Sequence, residues 1–190
     1  MEIRTLLFEH GGPANTAATL QAARERALEL GIRQVVLASS HGGTARRAHE
    51  LLSPHGIRIC AVSLAHGFAE RGWCMSPEER SDLERLGIHV ITGIQALGDG
   101  VSSAFTERYG GRTTEETVRD VLYRFSQGMK VAVEGVLMAA DEGWLAMDEE
   151  VIALGGTSSG ADTAIVCLPA YPRTFLSLEI REVLAKPRIP

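Results

Sequence analysis

Short apolar runs alternate along the chain with longer segments whose apolar residues recur every three or four positions. Ile3–Glu9 (IRTLLFE), Arg33–Ala38 (RQVVLA), Ile57–Ser63 (IRICAVS) and Ile88–Ile94 (IHVITGI) read as strands. Between them lie helical patterns. Asn15–Gly31 has Asn15 or Thr16 to cap it and Gly31 to stop it. Thr44–Gly56 closes on Pro54 and Gly56, and Ser76–Gly87 opens on Ser76 with Glu79 three residues on, a capping-box spacing. A Gly/Ser-rich connection, Gln95–Arg112, leads to the longest helical pattern, Thr114 to Glu142. Glu149–Gly156 (EEVIALGG) and Asp162–Ala170 (DTAIVCLPA) read as a fifth and sixth strand; Thr174–Pro190 fits a strand or a short helix.

Strands alternating with helices of ten or more residues make βαβ units, and the handedness of their crossovers gives a parallel sheet covered by helices. The last two strands are joined by a turn too short for a parallel crossover, so the sixth is expected to run antiparallel as a hairpin. The expected fold is a single α/β domain over residues 1–190: three layers, a mostly parallel sheet with helices on both faces, and a C-terminal antiparallel hairpin strand. No repeat or linker divides the chain. In such sheets ligands bind beyond the carboxyl ends of the strands, where strand order reverses.

Composition narrows the function. The formal net charge is −5 and no basic run could neutralise phosphates in series, so neither nucleic acid nor a membrane surface is an expected partner. No apolar segment reaches the roughly 18 residues of a membrane span. Met1–Arg4 lacks a signal-peptide pattern, which makes the cytoplasm the expected compartment. Cys60 and Cys167 sit in apolar runs and read as buried thiols, whereas Cys74 lies in a loop; their number and spacing suit neither a disulfide framework nor a metal site.

The carboxyl-edge loops share one chemistry. They are Glu9–Thr16, then Ser39-Ser40-His41-Gly42-Gly43-Thr44, then Ser63–Phe68 with His66 and Gly67, then Thr92-Gly93 and Gly98–Gly100, then Gly155–Gly160 with Gly156, Thr157, Ser158 and Ser159. Glycine lets backbone N–H groups approach a ligand, hydroxyls add donors, and the following helix offers its positive end. A phosphate needs these features; ordinary turns and caps use the same residues. No Walker or GxGxxG spacing is present, which disfavours ATP hydrolysis and dinucleotide binding.

In the long helix Gln127, Lys130, Glu134 and Asp141 fall near one line. They form either a thin solvent-facing stripe with a Lys130–Glu134 pair, or a face on which Ser126, Gln127 and Lys130 point into a ligand cleft. Histidines 10, 41 and 66 lie in carboxyl-edge loops and could act as acid, base or phosphate donors; His49, His55 and His89 read as structural. No GxSxG elbow indicates a serine nucleophile. Phe68 and Trp73 flank a loop that either anchors itself or lies over a planar ring.

The stretch NTAATLQAARERALELGIRQVVLASSHGGTARRA resembles the start of the carboxyl-terminal domain of pyruvate kinase, and VRDVLYRFSQGMKVAVEGVLMAADEGWLAMDEEVIALGGTSSGADTAIVCLPA resembles its later part. The resemblance covers most of Asn15 to Ala170 and is strongest to stand-alone proteins of this type, of which ITGIQALGDGVSSAFTERYGGRT looks characteristic. It implies phosphate-holding roles for Ser39–Thr44 and Gly155–Gly160. In some pyruvate kinases the domain binds a sugar bisphosphate, and catalysis resides in a separate barrel, so pyruvate kinase activity is not carried over. The strand before Asn15 and the longer Gln95–Arg112 segment depart from the pattern.

The expectation is therefore a domain that binds a phosphorylated small molecule, with flavin mononucleotide (FMN) as the favoured cofactor and homo-oligomeric assembly. Ser39, Ser40, Gly42, Gly43 and Thr44 would grip the phosphate, and Asn15, Thr16 and Thr157–Gly160 would close the site. Whether the protein is an enzyme stays open. Three rivals remain: a regulatory metabolite sensor, an enzyme acting on a phosphorylated substrate through His41 or His66, and an oligomerisation domain with a vestigial pocket.

Overall fold

A computed structural model describes residues 4–189, so Ile3, where the first strand was expected to begin, and the final Pro190 lie outside it. Seven strands form one sheet: β1 (Leu6–Phe8), β2 (Gln34–Ala38), β3 (Arg58–Ser63), β4 (His89–Thr92), β5 (Val151–Gly155), β6 (Thr163–Leu168) and β7 (Glu179–Pro187). Their order is β1-β7-β6-β5-β2-β3-β4. All neighbours are parallel except that β6 runs antiparallel to both β5 and β7. The expected hairpin is present, and the ambiguous tail resolves into a 3₁₀ segment, Pro172–Ser177, followed by β7.

The helices are α1 (Thr16–Leu30), α2 (Gly43–Leu52), α3 (Pro77–Arg85), α4 (Val101–Tyr109), α5 (Thr114–Leu122) and α6 (Gln127–Asp141). Successive side chains of a strand point to opposite faces, and the core divides accordingly. On one face Val35, Leu37, Ile59, Ala61, Ile152 and Leu154 pack with Leu20 and Ala23 of α1, Ala48 and Leu52 of α2, and Leu83 of α3. On the other, Val36, Cys60, Val62, Val151 and Ala153 pack with Met129, Val133, Val136 and Leu137 of α6. Burial pushes both the Cys60 and Cys167 thiols up, that of Cys167 to about 12, so neither carries thiolate character near neutral pH.

Two helical expectations are corrected. The pattern from Thr114 to Glu142 is two helices broken at Ser126, whose backbone is extended (ψ 162°) and whose Oγ accepts from the Met129 amide at 2.9 Å. A serine that satisfies an orphan amide of the next helix makes a new start there, although the apolar pattern runs on. The Gln95–Arg112 connection contains a helix, α4, whose Val101, Phe105 and Tyr109 recur every four residues yet stay exposed. The capping box at Ser76 and Glu79 is present, and a second one, Thr113 with Glu116, opens α5.

Candidate functional site

The sheet order reverses between β2 and β5: β3 and β4 extend to one side, and β5 arrives after α6 has crossed the opposite face. Loops leaving β2 and β5 diverge there and open a crevice at the carboxyl edge. The turn after β2 is built for an exposed helix start. Gly42 is the N-cap with φ 83°, which an L side chain rarely adopts, and no side chain caps from that position. Ser39 Oγ accepts from the Ala45 amide at 3.3 Å, and the Arg46 amide bonds back to the Gly42 carbonyl at 3.0 Å. The Gly43 and Thr44 amides, the first two of α2, have no intrahelical acceptor.

Pro13, Thr16, Gly43, Thr44, Arg47 and Gly160 line a recess of about 190 Å³ at this point. Thr44 is only 7 % exposed, and its hydroxyl makes no hydrogen bond among the described residues. No fully shielded side-chain oxygen or nitrogen among those residues lacks a partner, so the Thr44 hydroxyl is not fully shielded, and Thr44 lines the recess.

The opposite wall is stitched by buried polar groups. Thr16 Oγ1 donates to the Pro13 carbonyl at 2.8 Å and accepts from the Ala161 amide at 3.0 Å. Asp162, 0 % exposed, accepts from the Gly12 amide at 2.8 Å and the Thr157 amide at 2.9 Å with Oδ2, and from Thr163 Oγ1 at 2.9 Å with Oδ1. Thr163 Oγ1 also lies 2.9 Å from Ser126 Oγ, which joins this wall to the start of α6. Gly160 has φ +72°, and a Cβ there would stand 2.8 Å from Pro13 Cα, so the β5 turn can close on the β1 turn only with glycine.

Thr16, Gly43, Thr44 and Gly160, all expected at the site, thus meet at the recess. Ser39, Ser40 and Gly42 shape the same turn, with the Ser40 carbonyl accepting from Ser63 Oγ at 3.5 Å. Asn15 lies beside it, its side-chain amide donating to the His10 carbonyl at 2.8 Å instead of capping α1. In the β5 turn Gly156 and Thr157 are half-buried, while Ser158 and Ser159 are exposed at the tip. His41 Nδ1 is 3.2 Å from Glu79 Oε2. The Ser76 amide and then the His41 ring hold the Glu79 carboxyl below its usual value.

The remaining expected residues do not line the recess. His66 and Gly67 are exposed in a 3₁₀ segment, His66–Arg71, after β3. Thr92 Oγ1 accepts from Arg80 Nη1 at 3.4 Å, Gly93 is half-buried, and Gln127 is exposed in the first turn of α6. Lys130 makes the expected i,i+4 pair with Glu134, its Nζ 2.5 Å from Oε2, but the pair is buried and lies in no solvent-facing stripe. Glu134 Oε1 accepts from the Leu97 amide at 2.9 Å, so the pair ties α6 to the loop after β4. Burial pushes the Glu134 carboxyl up despite Lys130. A charged pair compensates best where its leftover acceptors are satisfied, and the Leu97 amide does this.

Sequence reasoning missed Arg47, Pro13 and Asp162. Arg47 reads as a surface cation in ARRA, and Asp162 as a turn residue in SGADTA. The available signal was helical spacing: Arg47 lies three residues beyond Thr44, on the same face.

A doubly wound, mostly parallel sheet with a recess at the strand-order reversal defines an open α/β domain. The chain belongs to the pyruvate kinase, alpha/beta domain family, which it matches over residues 17–167. It is also similar to a pyruvate kinase from Cryptosporidium parvum, at 14 % identity and a TM-score of 0.43, over 83 % of this chain and 24 % of that one. The chain therefore spans about a quarter of the length of that pyruvate kinase.

Proposed function

We propose that the protein binds the phosphoryl group of a small phosphorylated molecule at the N-terminus of α2. The observation that carries this reading is the Thr44 hydroxyl, which has no protein partner among the described residues in a residue 7 % exposed that lines the recess. It is free to donate to a phosphate oxygen, and a hydrogen bond to a charged group contributes about 1.5–3 kcal/mol. The Gly43 and Thr44 amides and the positive end of the α2 dipole favour the same anion. The reading takes binding alone and assigns no pyruvate kinase chemistry.

FMN is the specific ligand proposed. Sites that enclose drug-sized ligands run to ~300–1,000 Å³. The recess, at about 190 Å³, would take the FMN phosphate and leave the ring on the rim. Titration with FMN, followed by flavin fluorescence and competed with inorganic phosphate, tests the ligand; Thr44→Val should weaken both about fivefold or more. A wild-type protein that binds neither probe at millimolar concentration removes the reading. The enzymatic alternative rests on His41, which Glu79 orients beside Gly42. A His41→Ala variant that abolishes turnover of a phosphorylated substrate while still binding inorganic phosphate would favour it.

A further inference from the structure

We infer that the recess takes one phosphoryl group, that of a phosphomonoester and not of a bisphosphate, and that Arg47 supplies its ion pair. The inference rests on the phosphate reading above and deepens it. Of the six residues lining the recess, Arg47 alone is charged. It is exposed and has no hydrogen-bond or ion-pair partner among the described residues.

Its place on α2 makes it a recognition residue. Helical side chains lean toward the N-terminus of their helix, so a residue three positions beyond Thr44 brings its head back over the first turn. The guanidinium then approaches an anion from the side, while the Gly43 and Thr44 amides and the Thr44 hydroxyl approach along the helix axis. Arginine's planar fork suits two oxygens of one phosphate.

The recess itself lines up one cation, and three other cations of the chain are engaged elsewhere. Arg46, the neighbouring cation, is engaged by Asp82 at 3.1 Å. Arg24 on α1 donates to His55 Nε2 at 3.1 Å and to Gln21 at 3.4 Å. Lys130 is buried against Glu134. Asp162 of the opposite wall does not line the recess, and its oxygens accept from two amides and a hydroxyl. A second phosphate would find no cation other than Arg47 among the residues lining the recess.

The test is calorimetric titration of the full chain, in phosphate-free buffer, with inorganic phosphate, glucose 6-phosphate and glucose 1,6-bisphosphate. We expect the bisphosphate to bind no more than about twofold tighter than the monophosphate, the statistical gain of two equivalent ends. Arg47→Ala should weaken inorganic phosphate about tenfold to a hundredfold, and Arg47→Lys, which keeps the charge and loses the fork, by less. Thermal unfolding of Arg47→Ala should match wild type, since the side chain is exposed and unpartnered. A bisphosphate that binds tenfold or more tighter than the monophosphate overturns the single-phosphate claim. Wild-type affinity in Arg47→Ala overturns the role of Arg47 while the phosphate reading stands. Loss of every probe in the wild-type protein overturns that reading itself.

Discussion

The two halves of the carboxyl edge are built differently. Beside β1, β5 and β2 the turns are held by buried polar groups reaching across the chain: Asp162 to Gly12, Thr16 to Ala161, and Ser126 to Thr163. Beyond β3 and β4 the chain relies on local contacts. Phe68 and Trp73 stack at 5.9 Å with Arg71 over both rings, and α4 presents Val101, Phe105 and Tyr109 to solvent, with Ile94 exposed nearby. The long-range polar ties that reach this half include Glu134 to Leu97, Gln95 to the Ser63 carbonyl, and the part-exposed His41–Glu79 and Arg46–Asp82 pairs. Buried hydrogen bonds fix geometry to a few tenths of an ångström, whereas exposed apolar side chains fix little. The half containing the recess is thus the more rigidly held of the two.

The largest test of this contrast is Asp162→Ala, which strands the Gly12 and Thr157 amides and the Thr163 hydroxyl. It should cost about 4 kcal/mol or more in urea unfolding, and a loss below about 1 kcal/mol would show that the stitching is dispensable. Glu134→Ala leaves Lys130 as a buried, unpaired charge and should cost about 3 kcal/mol. The same group predicts a pH effect. Its folded-state value lies above the ordinary 4.5, so its contribution is complete below pH 4.5 and is lost as pH rises through the folded value. Unfolding profiles should therefore show wild type losing stability relative to Glu134→Gln as pH rises above 4.5. Gly160→Ala, forced into a left-handed conformation against Pro13, should lower stability by about 2 kcal/mol and weaken inorganic phosphate binding with it. Smallest of all, Phe105→Ser on α4 should change unfolding by no more than about 0.5 kcal/mol. An effect of several kcal/mol there would show that the second half is not the loose one.

Much of the fold was legible because periodicity records burial. The first six strands were read from their apolar runs, the short turn before Thr163 required an antiparallel partner, and only β7 was left between strand and helix. The break at Ser126 was hidden because apolar residues continue through it; only backbone geometry distinguishes a cap from a helical serine. The α4 helix was hidden for the opposite reason: its apolar stripe faces solvent, so no core pattern marks it. Of the candidate site, the glycine and hydroxyl chemistry of Ser39–Thr44 and Gly160 could be read from local composition. Asp162 could not, because it works through amides 150 and 5 residues away in sequence; Arg47 was legible only as the helical neighbour of Thr44, three residues on.

The position of β7 also orders the assembly of the chain. β1 pairs with β7 and no other strand, and its register joins Leu6 to Ala185 and Phe8 to Pro187. β1 must therefore wait, without this partner, until β7 has been made and docked on β6. A contact spanning so much chain closes late because loop entropy is spent before it returns anything. The β2–β3 pair and its crossover helix, by contrast, can form while the C-terminal half is still emerging, so this edge of the sheet acts as the latch that the completed domain closes last.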